Sequence, residues 1–165
     1  MPDAEVLLIG TDDPGGYGRD APHGTTWKKH ILAEVEDRLD LERVHFTGRL
    51  PYDQMLAALS ISAAHVYYTY PFVLSWSLLE AMASECLIIA SDTPPVRDVI
   101  QDSVNGLLFD FFDVKALSDA LIRACRSPEI YLRMRHAARD TVLARFDRDR
   151  LCRPAWLRLV HDVLR

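Results

Sequence analysis

Residues 74–84 (LSWSLLEAMAS) set one carboxylate, Glu80, into a stretch that is otherwise apolar or small. Among Leu78, Leu79, Ala81 and Met82, a carboxylate either sits on a solvated helix face, serves a cap, or accepts hydrogen bonds from a pair of sugar hydroxyls. The last is how acidic residues hold ribose in dinucleotide-binding folds. The stretch has helical periodicity, so the N–H groups around Leu74, Ser75 and Trp76 fall at a helix start, where intrahelical acceptors are missing. Such a terminus attracts phosphate through free donors and the helix dipole, at about 0.3–1 kcal/mol per exposed contact. Ser75 adds a hydroxyl donor at the same place.

The elements that must position these residues follow from apolar runs and turn residues. Residues 5–10 (EVLLIG) predict a strand buried on both faces of a parallel sheet. Residues 11–24 hold four of the seven glycines and two prolines, which predicts a long, mobile loop. Its glycines at 15–18 lack the lysine and Ser/Thr of a phosphate-binding P-loop and the GxGxxG spacing. Thr25 or Thr26 caps a helix carrying Trp27, Ile31, Leu32 and Val35 and closing at Leu39. Residues 43–47 (RVHFT), 65–69 (HVYYT), 87–90 (LIIA) and 107–109 predict further strands. Helices are predicted at 52–62, at 74–84, at 96–100 after Pro94-Pro95, and from 113 onward at 113–126, 128–144 and 149–164. Five strands alternating with helices specify an α/β fold, a Rossmann-like parallel sheet of about five strands with helices on both faces and a C-terminal helical extension. In such sheets ligands bind beyond the carboxyl ends of the strands, so the loops after Gly10, Gly48, Thr69 and Ala90 are where function is expected.

The bulk composition narrows the classes. At 165 residues, 49% hydrophobic and 26% charged, the chain fits one ordinary globular domain. A net charge of −5 gives no broad field for a nucleic-acid backbone. Cys86, Cys125 and Cys152 lie far apart without a C-x-x-C pair, which reads as reduced thiols in a cytoplasmic protein rather than a zinc site or disulfides. The six histidines have no metal-ligand spacing, and no stretch has the signature of a signal peptide or membrane span.

Residues 77–121, SLLEAMASECLIIASDTPPVRDVIQDSVNGLLFDFFDVKALSDAL, resemble the signature of family 4 glycosyltransferases of the two-Rossmann-domain (GT-B) type. RVHFTGRLPYDQM at 43–55, HVYYT at 65–69 and MRHAARDTVLARFD at 134–147 are similar to other parts of that family's C-terminal, donor-binding domain, in family order. The resemblance implies that Glu80 is the second glutamate of an E-x7-E motif and holds the nucleotide's ribose. Arg49 and Leu50 then cradle the nucleobase, and Trp76 lines the same pocket. For Arg49 a surface charge, for Trp76 a place in the core, and for Thr69 either a base edge or its own backbone remain open readings. The first glutamate of the motif falls at Phe72. Family members contact the donor sugar there, so that contact either is lost or passes to main-chain groups of 72–75. Val73, Leu74 and Ser75 replace the family's glycine-rich stretch.

By the same resemblance the parent enzyme transfers a sugar from a nucleoside diphosphate sugar to a carbohydrate or lipid-linked hydroxyl, with retention, without cofactor or obligatory metal. Its N-terminal acceptor domain and the first strand and helix of this domain lie outside the chain, so the chain is expected to bind nucleotide weakly and not to turn over. Peripheral membrane contact of the whole enzyme stays open. Two alternatives are a nucleotide-sugar epimerase half, which needs clustered acid/base groups, and an inert nucleotide-binding or interaction module.

Overall fold

The computed structural model describes residues 4–12 and 19–165; the glycines at 15–18 lie outside the described residues. The chain divides into two compact units, Met1–Met55 and Leu56–Arg165.

In the first unit β1 (Val6–Ile9) pairs in parallel with β2 (Val44–Gly48), from Val6 opposite Val44 to Leu8 opposite Phe46, with an irregularity before Ile9. Gly48 ends β2 at φ +67°, a left-handed conformation costly for any residue with a Cβ. Helix α1 (Trp27–Val35) starts where its cap is: Thr26 Oγ1 accepts from the Lys29 N–H at 3.3 Å. Of the two threonines that could serve, the second does. A single-turn 3-10 segment, Glu36–Arg38, follows α1 and brings the chain to Leu39. The expectation that β1 is buried on both faces is corrected: Val6, Leu7, Leu8 and Ile9 are 39–47% exposed. One neighbouring strand and a helix with no buried residue leave its apolar side chains half in water.

Helix α2 (Tyr52–Ile61) leads into the second unit. There β3 (His65–Tyr67), β4 (Ile88–Ser91) and β5 (Leu107–Phe109) form a parallel sheet in that order, with Val66 opposite Ile89 and Ile89 opposite Leu107. All five predicted strands form and all pair in parallel, but their hydrogen bonds make a pair and a triple rather than one continuous sheet. The central β4 is at 0% exposure throughout, as its unbroken apolar run requires. Leu87, Ile89 and Phe109 pack with Ala120 and Ala124 of α5 (Val114–Arg126) and with Tyr131. Asp113 caps α5, its Oδ1 accepting from the Ala116 N–H at 2.8 Å. The short α4 is Pro94–Arg97, not 96–100, since two prolines suit the donor-free first positions of a helix.

Helix α3 (Trp76–Ala83) starts at Trp76 rather than at Leu74, because Ser75 takes the cap position with extended backbone. Its other end is a Schellman turn, in which the Cys86 N–H donates to Ala81 O and the Glu85 N–H to Met82 O. Glu85 occupies the left-handed position at φ +56°, where glycine is usual. Helix α6 (Leu132–Arg145) packs on α3 and secures that end: Arg139 Nη1 donates to Ala83 O and Arg135 Nε to Glu85 O, both at 2.6 Å. The turn before β5 is set by buried Asn105, which accepts from the Gln101 N–H and donates to Val99 O and Thr141 Oγ1. Gly106 follows because a Cβ there would lie 2.9 Å from Ile100 Cγ2. The last helix, α7 (Arg153–Val163), packs chiefly on the π-helical turn just before it and buries none of its residues.

Candidate functional site

In a parallel sheet every strand's carboxyl end lies on one edge, and in the second unit the loop from β3 to α3 rises from that edge. Tyr67, the last residue of β3, turns its hydroxyl onto the α3 start, where Oη accepts from the Ser75 N–H at 2.9 Å. Ser75 Oγ accepts from the Ser77 N–H at 3.3 Å and shares a 2.9 Å bond with Ser77 Oγ. Two groups expected to face a phosphate, the Ser75 N–H and hydroxyl, are thus engaged within the chain. The Trp76 N–H at the first helical position has no acceptor among the described residues. It remains as the donor at the positive end of the helix dipole.

Glu80 lies one turn further on, on the face it shares with Trp76, since residues four apart are helix neighbours. The opposite face, with Leu78, Ala81 and Met82, is at 0% exposure. Glu80 is half-buried, and among the described residues its carboxylate has neither an ion pair nor a hydrogen bond. A carboxylate partly withdrawn from water and unpaired can accept hydrogen bonds from a ligand without first breaking any of its own. The Trp76 indole is 82% exposed, which removes it from the core and leaves its face open beside Glu80.

Leu74 is half-buried just ahead of the cap, and Phe72, where the resemblance places a glutamate, is 64% exposed. Thr69 lies two residues past β3. Its N–H donates to Ser91 Oγ at 3.0 Å, its carbonyl accepts from the same hydroxyl at 2.7 Å, and its Oγ1 donates to Tyr70 O at 2.9 Å. Of the roles open to Thr69, the backbone one is present. Leu74, Ser75, Trp76 and Glu80 are therefore gathered by one strand–loop–helix unit.

Arg49 and Leu50 belong to the first unit and follow Gly48 directly. Arg49 is exposed without an ion pair among the described residues, and Leu50 is half-buried. At the carboxyl ends of β1 and β2 this unit holds a cavity of about 610 Å³ lined by Gly10, Asp12, Lys28, Phe46, Thr47 and Gly48, among others. Lys28 Nζ stands 4.0 Å above the Phe46 ring. A hydrogen bond from the Thr26 side chain holds the Asp12 carboxyl below the usual carboxylate range, aided by the Lys28 N–H, which donates to Oδ1 at 3.1 Å. Sequence reasoning missed these residues. The signal for Asp12 was its place at the strand end, but its partner Lys28 lies across the long loop. Tyr67 was equally unforeseen as a positioning residue.

A larger cavity, about 800 Å³, lies in the second unit between Asp92, Arg97, Gln101, Asn105, Thr141 and Arg145. None of the sequence-predicted site residues lines it. Arg97 and Asp92 pair across two hydrogen bonds there, which keeps the Asp92 carboxyl below its usual range. Among the described residues no three His, Cys, Asp or Glu side chains converge as a metal site, and no helix is long and apolar enough to cross a membrane.

With this geometry in place, the likenesses to known proteins become informative. The family model described as glycosyl transferases group 1 matches residues 2–141. The N-acetyl-alpha-D-glucosaminyl L-malate synthase of Bacillus anthracis is 26% identical over 163 residues, which is 99% of this chain and 39% of that protein. Among solved structures, the sucrose-phosphate synthase of Thermosynechococcus elongatus superposes with a TM-score of 0.79 at 23% identity, covering 96% of this chain and 39% of that one. HepE of Anabaena in complex with UDP-glucose superposes at 0.71 and 19% identity, over 89% of this chain and 38% of that one. The chain thus spans about two fifths of the length of these relatives, and its α/β fold is that of a GT-B Rossmann-like domain. Nothing in these likenesses favours the epimerase alternative. The chain belongs to the glycosyl transferases group 1 family.

Proposed function

We propose that the chain is the donor-binding part of a two-domain glycosyltransferase that moves a sugar from a nucleoside diphosphate sugar to a carbohydrate or lipid-linked hydroxyl, with retention. The observation that carries this reading is the unpaired, half-buried Glu80 one turn from the free Trp76 N–H. In the bound state Glu80 accepts from the two ribose hydroxyls while the α3 start faces the diphosphate, which the helix dipole and the Trp76 N–H stabilise. Main-chain groups, not a metal ion, then meet the phosphate charge, and no cofactor takes part. The crystal complex of HepE with UDP-glucose supports a nucleotide sugar as the ligand class.

For Arg49 and Leu50 we keep the nucleobase contact implied by the family resemblance, on the grounds of the first unit alone: they come next in the chain after Gly48, which lines its cavity. With Phe72 in place of a glutamate, main-chain groups of 72–75 meet the donor sugar. Transfer needs a second wall to close over the donor and exclude water, so the chain alone binds nucleotide weakly and does not turn over. Exposed Cys125 and half-exposed Cys152, both free thiols, suit a reducing, cytoplasmic setting.

Calorimetric titration of the chain with UDP, GDP, ADP and TDP, each with and without a chelator, tests the reading. One diphosphate binds, and chelation leaves its affinity unchanged. Failure of all four at millimolar concentration, or binding that requires added divalent metal, overturns it.

A further inference from the structure

The start of α3 carries more hydrogen-bond donors than the chain itself can satisfy. Tyr67 is buried, at 9% exposure, and its hydroxyl reaches from the end of β3 to the Ser75 N–H, from which it accepts at 2.9 Å. A phenolic oxygen can both accept and donate. This one only accepts: among the described residues the Tyr67 O–H has no acceptor of its own. Beside it, Ser75 Oγ accepts from the Ser77 N–H, and the two serine hydroxyls share one 2.9 Å bond. That bond uses one of their two protons, whichever serine donates, and one serine O–H is left over. The Trp76 N–H is a third donor without an acceptor among the described residues, whereas the Leu78 N–H donates to Ser75 O.

The other hydroxyls of the same loop behave differently. Tyr68 Oη donates to the Phe111 carbonyl and Thr69 Oγ1 to the Tyr70 carbonyl, while Tyr70 is 70% exposed and open to water. Holding the Ser75 N–H requires an acceptor and nothing more, so the proton of Tyr67 is surplus to that task. Burial makes the surplus costly, because a donor withdrawn from water and left unmet gains nothing in return.

An incoming oxygen that accepts removes the surplus. A phosphate oxygen is such a group, and the positive end of α3 favours its charge. Because Tyr67 Oη already accepts from an N–H, its own proton is the stronger donor. We propose that Tyr67 is a diphosphate-binding residue, donating its hydroxyl proton to a phosphate oxygen of the bound nucleotide beside the Trp76 N–H. The inference rests on the transferase reading above and deepens it. Ser75 stands where the resembled family is glycine-rich, its N–H is turned onto Tyr67, and the Tyr67 hydroxyl passes a donor on to the ligand in its place.

The test is an NMR titration of the chain with three probes: UDP, inorganic pyrophosphate and uridine. UDP and pyrophosphate shift the Tyr67 ring signals together with the Ser75 and Trp76 amides, and uridine leaves the Tyr67 ring unmoved. Tyr67→Phe weakens UDP and pyrophosphate alike, by about tenfold, as the loss of a hydrogen bond to a charged oxygen requires. Glu80→Gln weakens UDP alone. A merely structural Tyr67 would give a different result, since its removal releases the Ser75 N–H toward the anion and leaves pyrophosphate binding unchanged or tighter. The proposal is overturned if a folded Tyr67→Phe chain binds pyrophosphate as the unaltered chain does. Should that variant not fold, binding of UDP and pyrophosphate to the unaltered chain without movement of the Tyr67 ring overturns it equally. Pyrophosphate binding at Tyr67 with no response to UDP refutes the nucleotide reading and leaves the hydroxyl contact standing. UDP binding that is indifferent to Tyr67 does the reverse, and failure of both anions to bind ends both.

Discussion

The two units are built from the same vocabulary, short apolar parallel strands joined by helices, yet only one has a core. Among the described residues none before Leu59 is buried, whereas Ile88, Ile89 and Ala90 of β4 are at 0% exposure. VLLI in β1 and IIAS in β4 are similarly apolar. What separates them is company: β4 has a strand on each side and α3 and α5 packed on it, and β1 has a single partner strand. An apolar run therefore reports what a strand is suited to, and the number of layers around it decides what it contributes.

The sharpest way to break this contrast is a matched pair of substitutions. Ile89→Ala opens a cavity in the packed sheet and costs about 2–5 kcal/mol, read from denaturant unfolding. Leu8→Ala, at a side chain 45% exposed, costs under about 1 kcal/mol by the same measurement. Equal losses at the two sites would show that β1 is buried in solution and dissolve the distinction.

A smaller effect sharpens the contrast through pH. His65 opens β3 with Nε2 buried and unpartnered, and burial pushes its pKa below the free value of 6.5. The folded state thus prefers the neutral ring. Its contribution is fully present above about pH 6.5 and declines as pH falls from there toward the lower folded value. The thermal midpoint of the second unit drops over that window, and His65→Phe flattens the profile. The ionised carboxyl of Asp92 also favours folding, but its contribution is fully present above its free value of 3.8 and is lost only as pH falls below it, so the two windows separate.

Much of the fold was legible because its signals are local. All five strands, the start of α5 and the turn at Asn105-Gly106 rest on apolar runs, a cap residue and an Asn-Gly pair, whereas the start of α3 lies at Trp76 rather than at Leu74. The exposure of β1 was not legible, since nothing within VLLI tells how many layers cover it. The site divides in the same way. Glu80, Ser75 and Trp76 stood out as a carboxylate and a helix start, and the structure sets them on one face or cap of one helix. The engagement of Ser75 by Tyr67, of Thr69 by Ser91 and Tyr70, and the pairing of Asp12 with α1 each join residues across a fold rather than along a chain. The stacking of the Tyr68 and Phe111 rings, with centroids 4.5 Å apart, is of the same kind, for the two residues are 43 positions apart.

The account depends above all on the free carboxylate of Glu80. Titrating the unaltered chain and Glu80→Gln with the best-binding nucleoside diphosphate, and recording both thermal midpoints, tests it directly. The account predicts affinity lower by about tenfold or more in the variant, because hydrogen bonds from two ribose hydroxyls to a charged acceptor are weakened together. The midpoint stays unchanged, because the side chain has no partner within the chain to lose. Unchanged nucleotide affinity in a folded Glu80→Gln chain would contradict it.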